Sequence, residues 1–131
     1  MDELPIQSGD DVVRVRQFVR SAAADNGLSL VDQTKLVTAA SELARNTLVH
    51  GGGGSARVEV VKSANGRVGV KLYFTDDGPG IPDIDRALTD GWSTGTGLGL
   101  GLSGARRLVD EFELTSQPGA GTSVAVVKWS R

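Results

Sequence analysis

Three short stretches carry residue types whose spacing could do chemistry. In "ELARN", Glu42 and Asn46 stand four residues apart, which places both on one face of a helix. A carboxylate there can take a proton from a nucleophile, while the carboxamide oxygen supplies a hard ligand to a Mg²⁺ ion that keeps most of its waters. In "TDDGPGIPD", Asp76 falls where a β-branched run ends. Gly78 and Gly80 permit tight turns and close approach of a ligand, and Pro79 stiffens the segment between them. A carboxylate fixed at a strand end can accept a hydrogen bond from an exocyclic amine such as that of adenine. The third stretch, "STGTGLGLGLSGARRL" from Ser93 to Leu108, places five glycines in its first twelve residues and then reads as a helix. Bare backbone leading into a helix N-terminus presents N–H groups and the positive dipole end, which suits an anion.

Each stretch also has an ordinary reading. An isolated E-x-x-x-N is commonly a polar pair on an amphipathic helix, an Asp/Gly/Pro cluster is commonly a surface turn, and a glycine run also suits a flexible lid. Several better-known sites are absent. No lysine occurs between Lys71 and Lys128, so there is no P-loop. Gly99 to Gly104 satisfies G-x-G-x-x-G literally, but no strand precedes it and no parallel βαβ unit surrounds it. The H-R-D and D-F-G signatures of the eukaryotic-type kinases are missing. The acids around Asp76, Asp77, Asp83 and Asp85 lack the spacing of a calcium loop.

The elements that must position these residues follow from periodicity. A short strand is expected at Leu4 to Gln7, then a helix capped by Asp10 with Val12, Val15, Val19 and Ala22 facing inward, stopped by Asn26-Gly27. A second helix begins near Leu30 to Asp32, turns Leu36, Ala39, Leu43 and Leu48 to the core and ends at His50, before the glycines 51 to 54. "ARVEVVKS" and "RVGVKLYFTD" read as a hairpin turning at Asn65-Gly66. Residues 81 to 96 read as a loop with one helical turn at Ile84 to Leu88. A helix over Leu102 to Asp110 follows, and the strands "FELTSQ" and "TSVAVVKW" are joined through Pro118-Gly119. This order implies an α/β two-layer sandwich, with helices on one face of a mixed, mostly antiparallel sheet.

Composition narrows the function classes. The 131 residues fit one domain. With 14 basic and 16 acidic residues the net charge is −2, and no basic patch with interleaved aromatics points to nucleic acid. No cysteine is present, which excludes disulfides and thiolate metal sites. The acidic opening lacks the basic and apolar regions of a signal peptide, and no apolar run approaches the roughly 20 residues that span a bilayer. A cytoplasmic protein that does not engage membranes is the expectation.

Taken in series, the helix with E-x-x-x-N, the strand leading into D-x-G-x-G, the lid, and the G-x-G-x-G opening a helix resemble the Bergerat or GHKL nucleotide-binding fold shared by gyrase, Hsp90, histidine kinases and MutL. The resemblance covers nearly the whole chain, 1–131, as a single ATPase domain. It implies ATP and Mg²⁺ as cofactors, Glu42 as general base, Asn46 as Mg²⁺ ligand and Asp76 as the adenine contact. It further implies a purine pocket shaped by Gly78, Gly80 and Ile81, and a phosphate loop over Gly97, Leu98, Gly99, Leu100, Gly101 and Leu102. Thr122 in "GAGTSV" matches a threonine that assists at the adenine.

Within the superfamily, "DQTKLVTAASELARN", "DDGPGIPDI", "DGWSTGTGLGLGLSGARRLVDEF" and the closing "KWSR" are most similar to the RsbT-type switch kinases of the stressosome. Only 16 residues separate Gly80 from Gly97, a lid that favours this type over the anti-sigma-factor kinases of the SpoIIAB and RsbW kind. The resemblance implies serine/threonine phosphorylation of a STAS-domain antagonist, RsbS-like, followed by activation of a PP2C-type phosphatase, RsbU-like. Two alternatives are an anti-sigma-factor serine kinase and a non-catalytic ATP-dependent binding module. His50, the only histidine, reads as a helix-end or lid contact rather than a phosphoacceptor. Arg106 and Arg107 read either as solvated charges or as contacts to a phosphate or partner, and Trp92 as packing on the domain or anchoring a partner.

Overall fold

The computed structural model describes residues 3–78, 101–116 and 119–130. Its elements are β1 (Glu3–Ile6), α1 (Gly9–Asp25), α2 (Leu30–Val49), β2 (Gly54–Lys62), β3 (Val68–Asp76), α3 (Gly101–Leu108), β4 (Glu111–Ser116) and β5 (Thr122–Trp129). The expected helical turn at Ile84 to Leu88 lies outside the described residues.

Helix α1 starts earlier than the acidic residues imply. Ser8, not Asp10, occupies the N-cap, and its own side chain makes no capping bond. Asp11 does that work from inside the first turn. Its carboxylate accepts the Gln7 N–H at 2.8 Å and a 2.8 Å bond from Arg14, so the acid satisfies a donor ahead of the helix and sits at the positive dipole end. Asn26 ends the helix, with Gly27 beyond it at φ +81°, where a side chain would strain the backbone. In α2 the Ser29 hydroxyl accepts the Asp32 N–H at 3.1 Å, an ordinary N-cap.

The five described strands lie in the order β1-β2-β3-β5-β4. Every neighbouring pair is antiparallel, so the mixed character expected from the element order does not occur among the described residues. Local hairpins account for β2-β3 and β4-β5, and β5 then inserts beside β3. The β2-β3 turn forms where Asn65-Gly66 predicts, with Gly66 at φ +85° and the Ser63 N–H donating to the Arg67 carbonyl at 2.8 Å.

One face of the sheet carries Ala56, Val58, Val70, Leu72, Phe74, Val124 and Val126, all buried, as the two-residue period of a strand requires. Against it α1 sets Val12, Val15, Val19 and Ala23, α2 sets Leu36, Ala39, Ala40 and Leu43, and α3 sets Leu102 and Ala105. The inward stripe of α1 therefore closes on Ala23, whereas Ala22 is half-buried.

Lys128 continues the inward series of β5 beyond Val124 and Val126 yet is only 3% exposed. Its ammonium lies 3.6 Å from Asp32, in the first turn of α2, and 3.5 Å from Asp110, just past the end of α3. The end of α3 thus lies beside the start of α2. Because the two helices pack together, they run antiparallel, and the N-terminus of α3 points toward the C-terminal half of α2.

Candidate functional site

Glu42 and Asn46 occupy successive turns of α2, and both are half-buried. The Glu42 side chain is 22% exposed, with Arg45 at 3.5 Å on its solvent side. It is accessible to a substrate and partly shielded from water. One turn on, the Asn46 carbonyl accepts the N–H groups of His50 at 2.9 Å and Gly51 at 3.4 Å, which fastens the chain as it leaves the helix.

Asp76 closes β3, where it pairs with Gly54 of β2 on one side and Thr122 of β5 on the other. It is 7% exposed, and its Oδ1 accepts the Gly78 N–H at 2.9 Å. Two other glycines make this placement possible. A Cβ on Gly51 would fall 2.3 Å from the Asp76 Cγ, and one on Gly121, at φ +84°, would fall 2.2 Å from the Asp76 carbonyl oxygen. The end of α2, the segment after β3 and the turn before β5 therefore converge on one carboxylate, and only bare backbone permits it.

Thr122 is 7% exposed and projects from the same sheet face as Asp76. Its Oγ1 lies 3.0 Å from the hydroxyl of Ser116, which faces it across β4-β5 and also donates to the Gly121 carbonyl at 3.2 Å. A cavity of about 240 Å³ at this end of the sheet is lined by residues of both faces, Asp76, Ser116 and Thr122 together with the exposed Thr75, Thr115 and Ser123.

Of the residues expected at the site, Glu42, Asn46, Asp76, Gly78 and Thr122 fall at the helix-bearing face, on α2 and at strand ends. Gly101 opens α3. Leu102 is 1% exposed and belongs to the core, so what it offers a phosphate is its backbone N–H in the first turn of the helix. Gly80, Ile81, Gly97, Leu98, Gly99, Leu100 and Trp92 lie outside the described residues. Arg106 and Arg107 are exposed in the last turn of α3, where cations complement the helix dipole. Gly51, Gly121 and Ser116 are additions that residue type alone does not flag.

The residues fit a Mg²⁺ ion that arrives with its nucleotide. No group of three or more His, Cys, Asp or Glu able to hold a metal occurs among the described residues. Mg²⁺ needs only one or two protein oxygens when phosphates and water complete its octahedron, and the Asn46 carboxamide oxygen can be one of them.

His50, at the C-cap of α2, is held below the usual imidazole range because burial outweighs the attraction of Asp76. The unfolded chain therefore binds a proton at a higher pH than the folded chain. Stability is expected to fall as pH drops below about 6.5, the ordinary histidine value, until the folded-state value is passed. In His50→Gln this component disappears, so the difference in urea midpoint between parent and variant, measured from pH 7.5 to 5.5, should change with pH. A constant difference would remove the effect.

Residues 31–130 match the family model described as histidine kinase-, DNA gyrase B-, and HSP90-like ATPase. The serine/threonine-protein kinase RsbT of Bacillus subtilis (strain 168) is 46% identical over 121 residues, covering 92% of this chain and 90% of that protein. An anti-sigma F factor of Thermoanaerobacter sp. (strain X514) is 27% identical over 117 residues, covering 87% and 82%. Among solved structures, the RsbU and RsbW domains of a Mycobacterium tuberculosis protein superpose with a TM-score of 0.62 at 22% identity, covering all of this chain and 33% of that one. The mycobacterial sensor histidine kinase MprB superposes at 0.56 and 21% identity, covering 99% of both. No described helix is long and apolar enough to cross a membrane.

Proposed function

This chain belongs to the histidine kinase-, DNA gyrase B-, and HSP90-like ATPase family and is a protein serine/threonine kinase of the RsbT type; we propose that it transfers the γ-phosphoryl group of Mg²⁺-ATP to a serine or threonine of a STAS-domain antagonist. Released from the phosphorylated antagonist, it then binds and activates a PP2C-type phosphatase. The antagonist is RsbS-like, the phosphatase RsbU-like, and the exchange takes place in the cytoplasm as part of a stressosome response.

The observation that carries this reading is the convergence on one carboxylate, Asp76, of the helix bearing Glu42 and Asn46 and of the Thr122 strand end. Asp76 and Thr122 receive the adenine. Asn46 holds the metal, and the N-terminal turn of α3 at Gly101 offers the phosphates its positive dipole end. Mg²⁺, when bound, draws charge from the phosphate oxygens. Glu42 accepts the proton of the substrate hydroxyl as that oxygen bonds to the γ-phosphorus and the bond to the β,γ-bridging oxygen breaks, leaving ADP. The half-buried setting of Glu42, with Arg45 on its outer side, keeps the carboxylate in place for that transfer.

Asp76→Asn exchanges an acceptor for an amide that can present a donor to the adenine amine. ATP affinity is expected to fall about 10- to 100-fold, the range for a hydrogen bond to a charged group, as measured by calorimetry. Undiminished affinity would remove the adenine role. The function itself is tested by incubating the protein with Mg²⁺-ATP and candidate STAS domains and locating phosphoserine or phosphothreonine by mass spectrometry. A labelled STAS domain is the expected result. Stable capture of a sigma factor instead would favour the second reading, an anti-sigma-factor kinase, which rests on the 27% identity to the anti-sigma F factor.

A further inference from the structure

We propose that the solvent face of α2 from Val31 to Val49 is the surface on which the phosphoacceptor protein docks, and that this partner presents acidic side chains to Lys35 and Arg45 and apolar ones to the two valines. This rests on the reading of Glu42 as the base that takes the acceptor proton. Val31, Lys35, Thr38, Glu42, Arg45 and Val49 follow one another at intervals of four, three, four, three and four. That alternation keeps all six on one stripe of the helix, about 27 Å long at 1.5 Å per residue. Val31 is 64% and Val49 48% exposed, Lys35, Thr38 and Arg45 are exposed, and Glu42 is half-buried. A lone exposed valine needs no explanation. Two of them flank the base on the stripe that carries it.

Position on the helix decides what can reach this stripe. Arg45 and Asn46, three and four residues after Glu42, fall on opposite flanks of it. In the proposed reaction the metal and nucleotide occupy the Asn46 flank. A macromolecule that delivers a hydroxyl to Glu42 therefore comes over the Arg45 flank and lies along α2 on either side of the base.

Charge selects the occupant. Apart from Glu42, the charged members of the stripe are both cations, Lys35 two turns before the base and Arg45 one turn after it. Arg45 meets Glu42 only at 3.5 Å, with its side chain 47% exposed, so the guanidinium can turn to a partner carboxylate at little cost. A second copy of this chain fits poorly. Laid antiparallel, the stripe sets Lys35 against Arg45, and laid parallel it sets each cation against itself, so like charges oppose the pairing.

The experiment measures steady-state kinetics of the full chain with Mg²⁺-ATP and a STAS-domain substrate, with thermal unfolding as a check on folding. Val31→Asp and Lys35→Glu, both well ahead of Glu42 on the helix, are each expected to raise KM for the STAS domain about tenfold, the scale of one interface anchor. In both, kcat and the KM for ATP should change less than about twofold, the pattern of lost docking rather than lost chemistry. Added salt should raise the parental KM and shrink the effect of Lys35→Glu, because screening weakens the pairing of exposed charges. Arg57→Glu, the same charge reversal at an exposed position between the inward-facing Ala56 and Val58 of β2, lies on the sheet face away from the helices and should leave KM unchanged.

Parental KM in folded Val31→Asp and Lys35→Glu, with the STAS domain still phosphorylated, would overturn the docking surface and leave the reaction standing. An equal rise in Arg57→Glu would overturn it too, since net charge rather than this stripe would then guide the partner. Altered self-association of Val31→Asp at parental KM would make the stripe a contact between copies. If the parent phosphorylates no STAS domain, the proposed reaction falls and the docking surface with it.

Discussion

Glu42→Gln is expected to slow phosphoryl transfer by about 10³-fold, within the 10²- to 10⁴-fold range of a positioned general base, while ATP affinity changes less than about twofold. The amide has nearly the same shape as the carboxylate but cannot take the hydroxyl proton, so the loss falls on the chemical step. Neighbouring structure makes the substitution clean. Glu42 packs from a regular helix, its ion-pair partner Arg45 is exposed, and the pair is separated by 3.5 Å, so losing it costs little stability. Asn46 and the Asp76 rung do not depend on it. Single-turnover measurement with saturating Mg²⁺-ATP and a STAS-domain substrate separates the two quantities. Transfer at the parental rate would assign the base elsewhere, and a joint loss of binding and transfer would make Glu42 a nucleotide contact.

Lys128→Met is expected to lower folding stability by about 3–5 kcal/mol, the cost of removing one partner from a buried ion pair. The methionine fills much of the space of the lysine stem, so the loss is electrostatic rather than a cavity. Asp32 is 5% exposed, and without the ammonium its carboxylate remains in a poorly solvated place. Asp110 is better placed to tolerate the change, since its other oxygen accepts the Trp129 N–H at 2.7 Å and its side chain is 24% exposed. Adding Asp32→Asn to Lys128→Met should therefore recover part of the lost stability. For a domain whose total stability is about 5–15 kcal/mol, the single variant gives up a large share, readable as a lower urea midpoint. A change below about 1 kcal/mol, within the range of exposed pairs, would mean that solvent already screens the cluster.

Lys128 also marks where the sequence stops being legible. Local period and turn chemistry are sufficient for α1, α2 and the Asn65-Gly66 hairpin, because each is decided by residues within a few positions of one another. The strand Thr122–Trp129 likewise emerges with the expected bounds. Nothing near Lys128 announces that its partners are Asp32, 96 positions away, and Asp110. That pairing exists because β5 inserts beside β3 and sets α2 and α3 over its end. The same insertion makes the described sheet wholly antiparallel, where element order alone leaves room for a parallel pair.

The site divides in the same way. The proposed roles of Glu42, Asn46, Asp76 and Thr122 come from the order in which their motifs follow one another along the chain, and the resemblance to an RsbT-type kinase built on that order is borne out by the 46% identical relative. Gly51 and Gly121 are not, since a glycine excluded by sterics looks the same in sequence as one that ends a helix or turns a hairpin. Their role appears only when a Cβ is placed against Asp76. Ser116 needs the β4-β5 register to bring it opposite Thr122. The cap of α1 shows the converse. Asp10 has a preferred residue type for the N-cap, but the chain enters the helix at Ser8, and Asp11 reaches back to Gln7.

The central claim, that ATP is held between the Asp76–Thr122 rung and the Glu42–Asn46 turn for transfer of its γ-phosphoryl group, is tested most directly by a crystal structure with Mg²⁺ and a non-hydrolysable ATP analogue. The expected result has the exocyclic amine of adenine within hydrogen-bonding distance of the Asp76 carboxylate and the metal coordinated by the Asn46 carboxamide oxygen. A base seated away from Asp76 and Thr122, or a metal that does not contact Asn46, would contradict it.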